Sequence, residues 1–223
     1  MVRGADKEFN CGLVSDRTLD GAVTLRYIPI MIETIKSIFS SSAEIKSVIA
    51  ADPVFLNSIA ASADKMLECI RNGGTIYSCG NGGSACDSMH LTEELVARFK
   101  RERPGIKAMH FQDPGSLTCW SNDYSYDSLF ERYVKTFCGA KDCLVVISTS
   151  GNSSNILKAV DAAKSCGTFT IGLSGKGGGQ IKENCDLCLV VPADVTERIQ
   201  EIHITIIHTW CELIETALLE TVG

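Results

Sequence analysis

The chain has no surplus of positive charge. Its 21 Lys and Arg are outnumbered by 27 Asp and Glu, for a formal net charge of −6. Such a chain has no global electrostatic attraction for nucleic acid or for an anionic membrane. A pocket of backbone N–H groups and hydroxyls can still hold a small phosphate, because it needs no net charge. The sequence lacks an uninterrupted apolar run near the ~20 residues of a membrane span. Its opening, MVRGADKEFNCGLVSDRTLDG, lacks the apolar stretch of a secretory signal. The 11 cysteines are odd in number, and the one C-x-x-C, Cys185/Cys188, has no second pair at zinc-knuckle spacing. They read as reduced thiols of a cytoplasmic protein, Cys185 and Cys188 as small buried hydrophobes at the entry to a strand. No G-x-x-x-x-G-K-[ST] and no H-E-x-x-H is present, which sets aside P-loop NTPases and zinc proteases of that type. No repeat of solenoid period and no low-complexity tract is present either.

What is present is the material of a globular core, with 45% hydrophobic and 22% charged residues in 223. That length suits one domain with helical additions. Residues 1–22 are polar and aperiodic and read as a flexible arm before a single domain over 23–223. Ile28, Met31, Ile32, Ile35, Ile38 and Phe39 recur at helical spacing over 22–39, and Ser40, Ser41 and Ser42 are expected to end that helix. Asp52-Pro53 pairs an N-cap with a proline at the first helical position, so a second helix runs to about Arg71 and stops at Asn72-Gly73-Gly74. Beyond it, β-rich runs at 75–79, 106–111, 143–148, 168–173 and 187–191 alternate with helical segments at 84–99, 125–137, 153–166 and 178–184. A last helix covers about 196–219. This alternation predicts a parallel sheet covered on both faces. The first two helices and the last exceed what five strands need, so their spare apolar faces pack either on other subunits or within the chain.

Two strand-to-helix turns are candidate anion sites. In Cys79-Gly80-Asn81-Gly82-Gly83-Ser84, glycines let a ligand approach the backbone ahead of a helix N-terminus. Gly80, Gly82 and Ala85 also fit a loose dinucleotide fingerprint, whose acidic partner is missing at the usual distance. Asp113 lies later and in a Pro-Gly turn, and a tight turn that binds nothing is the competing reading. Ser148-Thr149-Ser150-Gly151-Asn152-Ser153-Ser154 is more specific. A helix cap needs one hydroxyl, and here five crowd one turn, as a phosphate monoester without Lys or Arg requires. His90 and Glu94 are four apart on a predicted helix and share a face. The last helix carries His203 and His208 near an apolar stripe of Ile199, Ile202, Ile206 and Leu213. His203 reads as a satisfied core residue. Gln200 and His208 are eight apart, a rise of about 12 Å. They reach one small ion only with converging side chains, a deviating helix or a contribution from another subunit.

The segments CGNGGSACDSMHLTEEL (79–95), SNDYSYDSLFERY (121–133), ISTSGNSSNILKAV (147–160) and ERIQEIHITIIH (197–208) together resemble the sugar isomerase (SIS) family, and within it the phosphoheptose isomerases. The likeness runs in order from the first long helix to the last; residues 1–22 lie outside it, and VPADVT before Glu197 is slightly short for the family. It implies a three-layer α/β sandwich around a five-stranded parallel sheet, flavodoxin- or Rossmann-like, with added terminal helices. It implies conversion of D-sedoheptulose 7-phosphate to D-glycero-D-manno-heptose 7-phosphate through an enediol, the first step toward nucleotide-heptose precursors of bacterial surface glycans such as lipopolysaccharide. It further implies a cytoplasmic homotetramer with one zinc ion per subunit and no nucleotide cofactor. By position, His90, Glu94, Gln200 and His208 correspond to metal ligands, and Glu94 and His208 to the acid-base pair. Asn81, Gly82, Gly83, Glu94, Asn122, Asp123, Ser148, Thr149, Ser150, Ser153 and Gln200 correspond to substrate contacts. Two alternatives stand beside this reading. One is a non-catalytic SIS-fold protein that binds a replication initiator or regulatory partner, a branch lacking the Glu and the second His. The other is a dinucleotide-dependent dehydrogenase.

Overall fold

A computed structural model describes residues 27–220. They fall into two compact units that part after Phe39. The predicted arm, 1–22, and residues 22–26 of the predicted first helix lie outside the described residues.

Helix α1 (Tyr27–Ala50) runs through Ser40, Ser41 and Ser42, which were expected to end it. Serine costs a helix only a fraction of a kcal/mol, and the helix continues because neither Gly nor Pro intervenes before Asp52-Pro53. In the first unit, Ile30, Met31, Ile32, Ile35 and Phe39 are all exposed. In the second unit, α2 (Pro53–Arg71) begins where the sequence indicates. The Asp52 carboxylate accepts from the N–H groups of Val54 and Phe55 at 2.9 and 3.2 Å. Gly73 closes the helix at φ 74°.

The chain continues as β1 (Ile76–Gly80), α3 (Gly83–Val96), β2 (Ala108–His110), α4 (Pro114–Asp123), α5 (Leu129–Phe137), β3 (Cys143–Ser148), α6 (Ser154–Cys166), β4 (Phe169–Ser174), α7 (Ile181–Asn184), β5 (Leu187–Val190) and α8 (Thr196–Glu220). All five strands are parallel, in the order β2-β1-β3-β4-β5. Alternate residues of the buried strands feed two cores. Ile76, Val145, Ile147 and Ile171 join Met66, Leu91, Leu95, Ile206 and Trp210 from α2, α3 and α8. Tyr77, Cys79, Leu144 and Val146 join Phe130, Ile156, Val160 and Ala163 from α5 and α6. The predicted three-layer sandwich is therefore the observed one.

The differences are local. Helix α4 was read as a turn, although Asp113-Pro114 repeats the cap-then-proline signal of Asp52-Pro53, with Asp113 accepting from Ser116 N–H at 2.7 Å. Helix α3 ends at Val96, short of 99. The predicted 125–137 and 178–184 helices open as 3₁₀ turns (Tyr126–Ser128 and Lys176–Gly178) before α5 and α7. On α8 the buried face drifts along the helix from Ile199, Ile202 and Ile206 toward Ile207, Cys211 and Ile214, and this leaves Leu213, at its edge, 40% exposed. By length and composition α8 could cross a bilayer, but its apolar face is one of the two cores. The ten described cysteines are all free thiols.

Candidate active site

Strands β1 and β3 are neighbours, and Gly80, the last residue of β1, pairs with Ile147, the last but one of β3. Both turns that follow therefore open at the C-terminal end of the sheet. In the first turn a side chain on Gly80 would collide with the Ser84 backbone, and Gly82 takes φ 56°. The Asn81 and Asn155 amides donate to each other at 2.9 Å, and the Tyr126 hydroxyl donates to Asn81 Oδ1 at 2.6 Å. Asn155 is buried in the first turn of α6, so this network fastens one loop to the other. Sequence reading missed Asn155 and Tyr126. Their signal was only that both belong to the two motif-bearing segments.

In the second turn the Ser148 and Ser153 hydroxyls lie 3.1 Å apart. Ser153 occupies the N-cap position of α6 but makes no side-chain bond to the helix. Its hydroxyl thus leaves the N–H groups of Ser154 and Asn155 open to an anion, while the Ile156 N–H donates to the Ser153 carbonyl at 3.1 Å. The Ser150 hydroxyl accepts from Asn152 N–H at 3.2 Å, and the Thr149 carbonyl accepts from Gly175 N–H at 3.2 Å. Ser154, by contrast, donates to Asp127.

Helix α3 carries His90 and Glu94 on one face, and α8 brings His208 to them across 118 residues of sequence. His90 Nε2 lies 3.2 Å from Glu94 Oε1 and 3.1 Å from His208 Nε2. The three ligand-type atoms all fall within 4.8 Å of one another. His90 Nε2 therefore faces both the carboxylate and the second imidazole at hydrogen-bond distance. Phe99 covers His208 with ring centroids 5.8 Å apart, and the Glu94 side chain is 16% exposed, half-sheltered yet reachable. One turn before His90, Asp87 is partly buried and its Oδ2 has no partner. Burial pushes its pKa up to about 6, against a lesser downward pull from His90.

The structure thus gathers His90, Glu94 and His208 in one cluster, and Asn81, Gly82, Gly83, Ser148, Thr149, Ser150 and Ser153 on two adjoining turns. The Gln200 amide packs directly against Gly83, at the first turn and two helical turns before His208. Asn122 and Asp123 sit exposed at the end of α4, where the Asn122 amide donates to Asp123 at 2.8 Å. No hydrogen bond joins either of them to the two turns. His203 is buried against the Ser174 carbonyl at 3.2 Å, the core residue it was read to be. Asp113, the acidic candidate for a dinucleotide site, caps α4 instead. An open cavity of about 410 Å³ lined by Lys65, Asp142, Lys164, Phe169 and Asp186 lies at the opposite, N-terminal end of the strands. Its carboxylates are occupied there by the N–H groups of Thr75, Gly139 and Thr170.

A parallel α/β sandwich with hydroxyl-rich turns beside a His-Glu-His cluster defines a SIS-type domain, and residues 42–175 match the SIS domain family. The chain is 48% identical over 164 residues to the phosphoheptose isomerase of Cytophaga hutchinsonii, covering 73% of this chain and 86% of that protein. It is 43% identical over 184 residues to that of Vibrio cholerae, covering 82% and 96%. Among solved structures, the phosphoheptose isomerase of Francisella tularensis superposes with a TM-score of 0.79 at 36% identity, over 83% of this chain and 98% of that one. The chain belongs to the phosphoheptose isomerases of the SIS family and is an enzyme, a sugar-phosphate isomerase. The non-catalytic alternative is not favoured by these relatives.

Proposed function

We propose that this enzyme interconverts D-sedoheptulose 7-phosphate and D-glycero-D-manno-heptose 7-phosphate at the end of the sheet where the two turns meet the His-Glu-His cluster. The observation that supports it most is the convergence of His90, Glu94 and His208 within 4.8 Å beside two anion-ready turns. Ser148, Thr149, Ser150 and Ser153, with the α6 N-terminus, hold the phosphate. Asn81, Gly82, Gly83 and Gln200 hold the sugar, with Asn122 and Asp123 contributing from α4. Glu94 removes the proton from C1 of the ketose. His208 supplies a proton to the C2 oxygen, giving the enediol. Return of a proton to C2 and its loss from the C1 oxygen complete the aldose. Carboxylate and imidazole suit these transfers near neutral pH.

Two imidazole nitrogens, a carboxylate oxygen and an amide oxygen form a donor set that suits zinc, so His90, Glu94, Gln200 and His208 would hold one ion per subunit. Bound there, zinc would stabilise negative charge on the enediolate oxygens. The assembly is a homotetramer, for which the exposed Ile30, Met31, Ile35 and Phe39 provide an apolar surface. Free thiols and an acidic surface accord with a cytoplasmic enzyme that feeds surface-glycan synthesis.

The test is Glu94→Gln and His208→Asn, each with bound zinc measured beside turnover. Each change should lower kcat by roughly 10²–10⁴-fold while the fold survives. Zinc retained with turnover lost identifies proton transfer; loss of both identifies a ligand. Near-normal turnover in both variants would refute the site.

A further inference from the structure

We propose that the buried Arg103–Glu215 pair is a brace that sets α3 against α8, and so fixes the spacing of Glu94 from His208. Arg103 lies in the loop that follows α3, and its side chain is 3% exposed. Its Nη2 donates to the Glu94 carbonyl at 2.8 Å, and its Nη1 to the carbonyls of Leu95 and Pro104 at 2.9 and 3.1 Å. The first two carbonyls belong to the last turn of α3, where no intrahelical donor is left for them. One of them is the backbone of the residue whose carboxylate sits in the site.

Glu215 completes the brace from α8. It follows His208 by seven residues, close to two full turns, and so projects from nearly the same helix face. The residue is 1% exposed. Its carboxylate accepts from the N–H groups of Lys100 at 3.2 Å and Arg101 at 2.8 Å, and lies 3.6 Å from Arg103 Nε. Glu215 therefore holds the loop, and the loop's arginine holds the end of α3. The Arg101 side chain, half-exposed, flanks the buried carboxylate with Nε at 3.7 Å.

Stability alone is a poor reason for this arrangement. Apolar side chains of similar volume commonly serve a core as well as a buried ion pair or better. What the pair adds is direction: the planar guanidinium is oriented by the carbonyls of Glu94, Leu95 and Pro104, while the Glu215 carboxylate, 3.6 Å from an Nε that makes no hydrogen bond, supplies the opposite charge. The site needs that, because His90, Glu94 and His208 come from two helices and a 1 Å misplacement can cost about 10²-fold in rate. Arg103 and Glu215 are positioning residues, and their role rests on the reading of Glu94 and His208 given above.

The experiment compares wild type, Arg103→Lys and Arg101→Ala, each assayed well below its own unfolding temperature. Lysine keeps the charge but cannot bridge the carbonyls of Glu94 and Leu95. Arg103→Lys should lower kcat about tenfold or more with KM for the sugar phosphate little changed, since the phosphate turns lie elsewhere. Cobalt(II) added to the metal-free protein, followed by its visible absorbance, should bind roughly 10–100-fold more weakly. Arg101→Ala, which keeps the backbone N–H to Glu215 and removes only the exposed side chain's contacts with Glu215 and Thr216, should match wild type in both. A lower Tm with kcat and cobalt affinity within about twofold of wild type would overturn the proposal. If Arg103→Lys does not fold, Glu215→Gln, which retains acceptors for Lys100 and Arg101, is read by the same criteria. A wild type without isomerase activity refutes the proposed function, whereas an active wild type with unmoved variants refutes the brace alone.

Discussion

His203 should make this fold sensitive to mild acid. Its ring is buried, with Nε2 donating to the Ser174 carbonyl at 3.2 Å. A second proton would have to enter at Nδ1, which is buried without a partner. Burial accordingly pushes the pKa from 6.5 down to about 4, with the bond to Ser174 opposing it weakly. As the pH falls below 6.5, the unfolded chain takes up a proton at this position and the folded one does not. Stability that is fully present above 6.5 is then lost progressively until the folded group titrates near 4. At ~1.4 kcal/mol per pH unit the loss approaches about 3 kcal/mol. His203→Gln keeps an N–H for Ser174 and removes the titration. Urea unfolding at fixed protein concentration, from pH 7.5 to 4.5, should show wild type losing about 3 kcal/mol more than the variant. Carboxylates and the other histidines are common to both proteins and cancel in that difference. Parallel pH profiles would refute the account of this residue.

The double change Ser150→Ala, Ser153→Ala should raise KM for the sugar phosphate more than it lowers kcat, because phosphate binding is largely shared by ground and transition states; steady-state kinetics with an unchanged KM would remove the phosphate from that turn. Gly83→Ala places a methyl against the Gln200 amide. The flexible amide should move aside, leaving Tm within a few degrees while turnover falls, and full activity would show that Gln200 is not needed where it sits. Light scattering at micromolar concentration should give about four times the 24.1 kDa chain mass; a fully active monomer would refute the tetramer.

The sheet and most helices were legible because their signals are local. Asp52-Pro53 announced α2, and strands such as 143–148, apolar on both faces, announced a parallel sheet. Helix α4 repeats the same start signal at Asp113-Pro114, but none of its side chains is buried, so no apolar period revealed it. The serine run within α1 misled because serine marks caps and turns as well as ordinary helix surface. Within the site, the i, i+4 spacing of His90 and Glu94 and the hydroxyl-rich turn could be read directly. The meeting of His90 with His208, the Asn81–Asn155 amide pair and the Arg103–Glu215 brace join residues far apart in sequence. Periodicity carries no trace of such contacts, and only the family likeness pointed to the first. Asn155 and Glu215 look like solvent-facing polar residues in helices; the fold buries both.

The most direct test follows sedoheptulose 7-phosphate with the purified enzyme in D₂O by NMR. The account predicts that D-glycero-D-manno-heptose 7-phosphate forms, with deuterium entering at C2 as the enediol is reprotonated, and that Glu94→Gln forms neither at a comparable rate. If wild type leaves the ketose unchanged, or Glu94→Gln makes the aldose as fast as wild type, the central claim is contradicted.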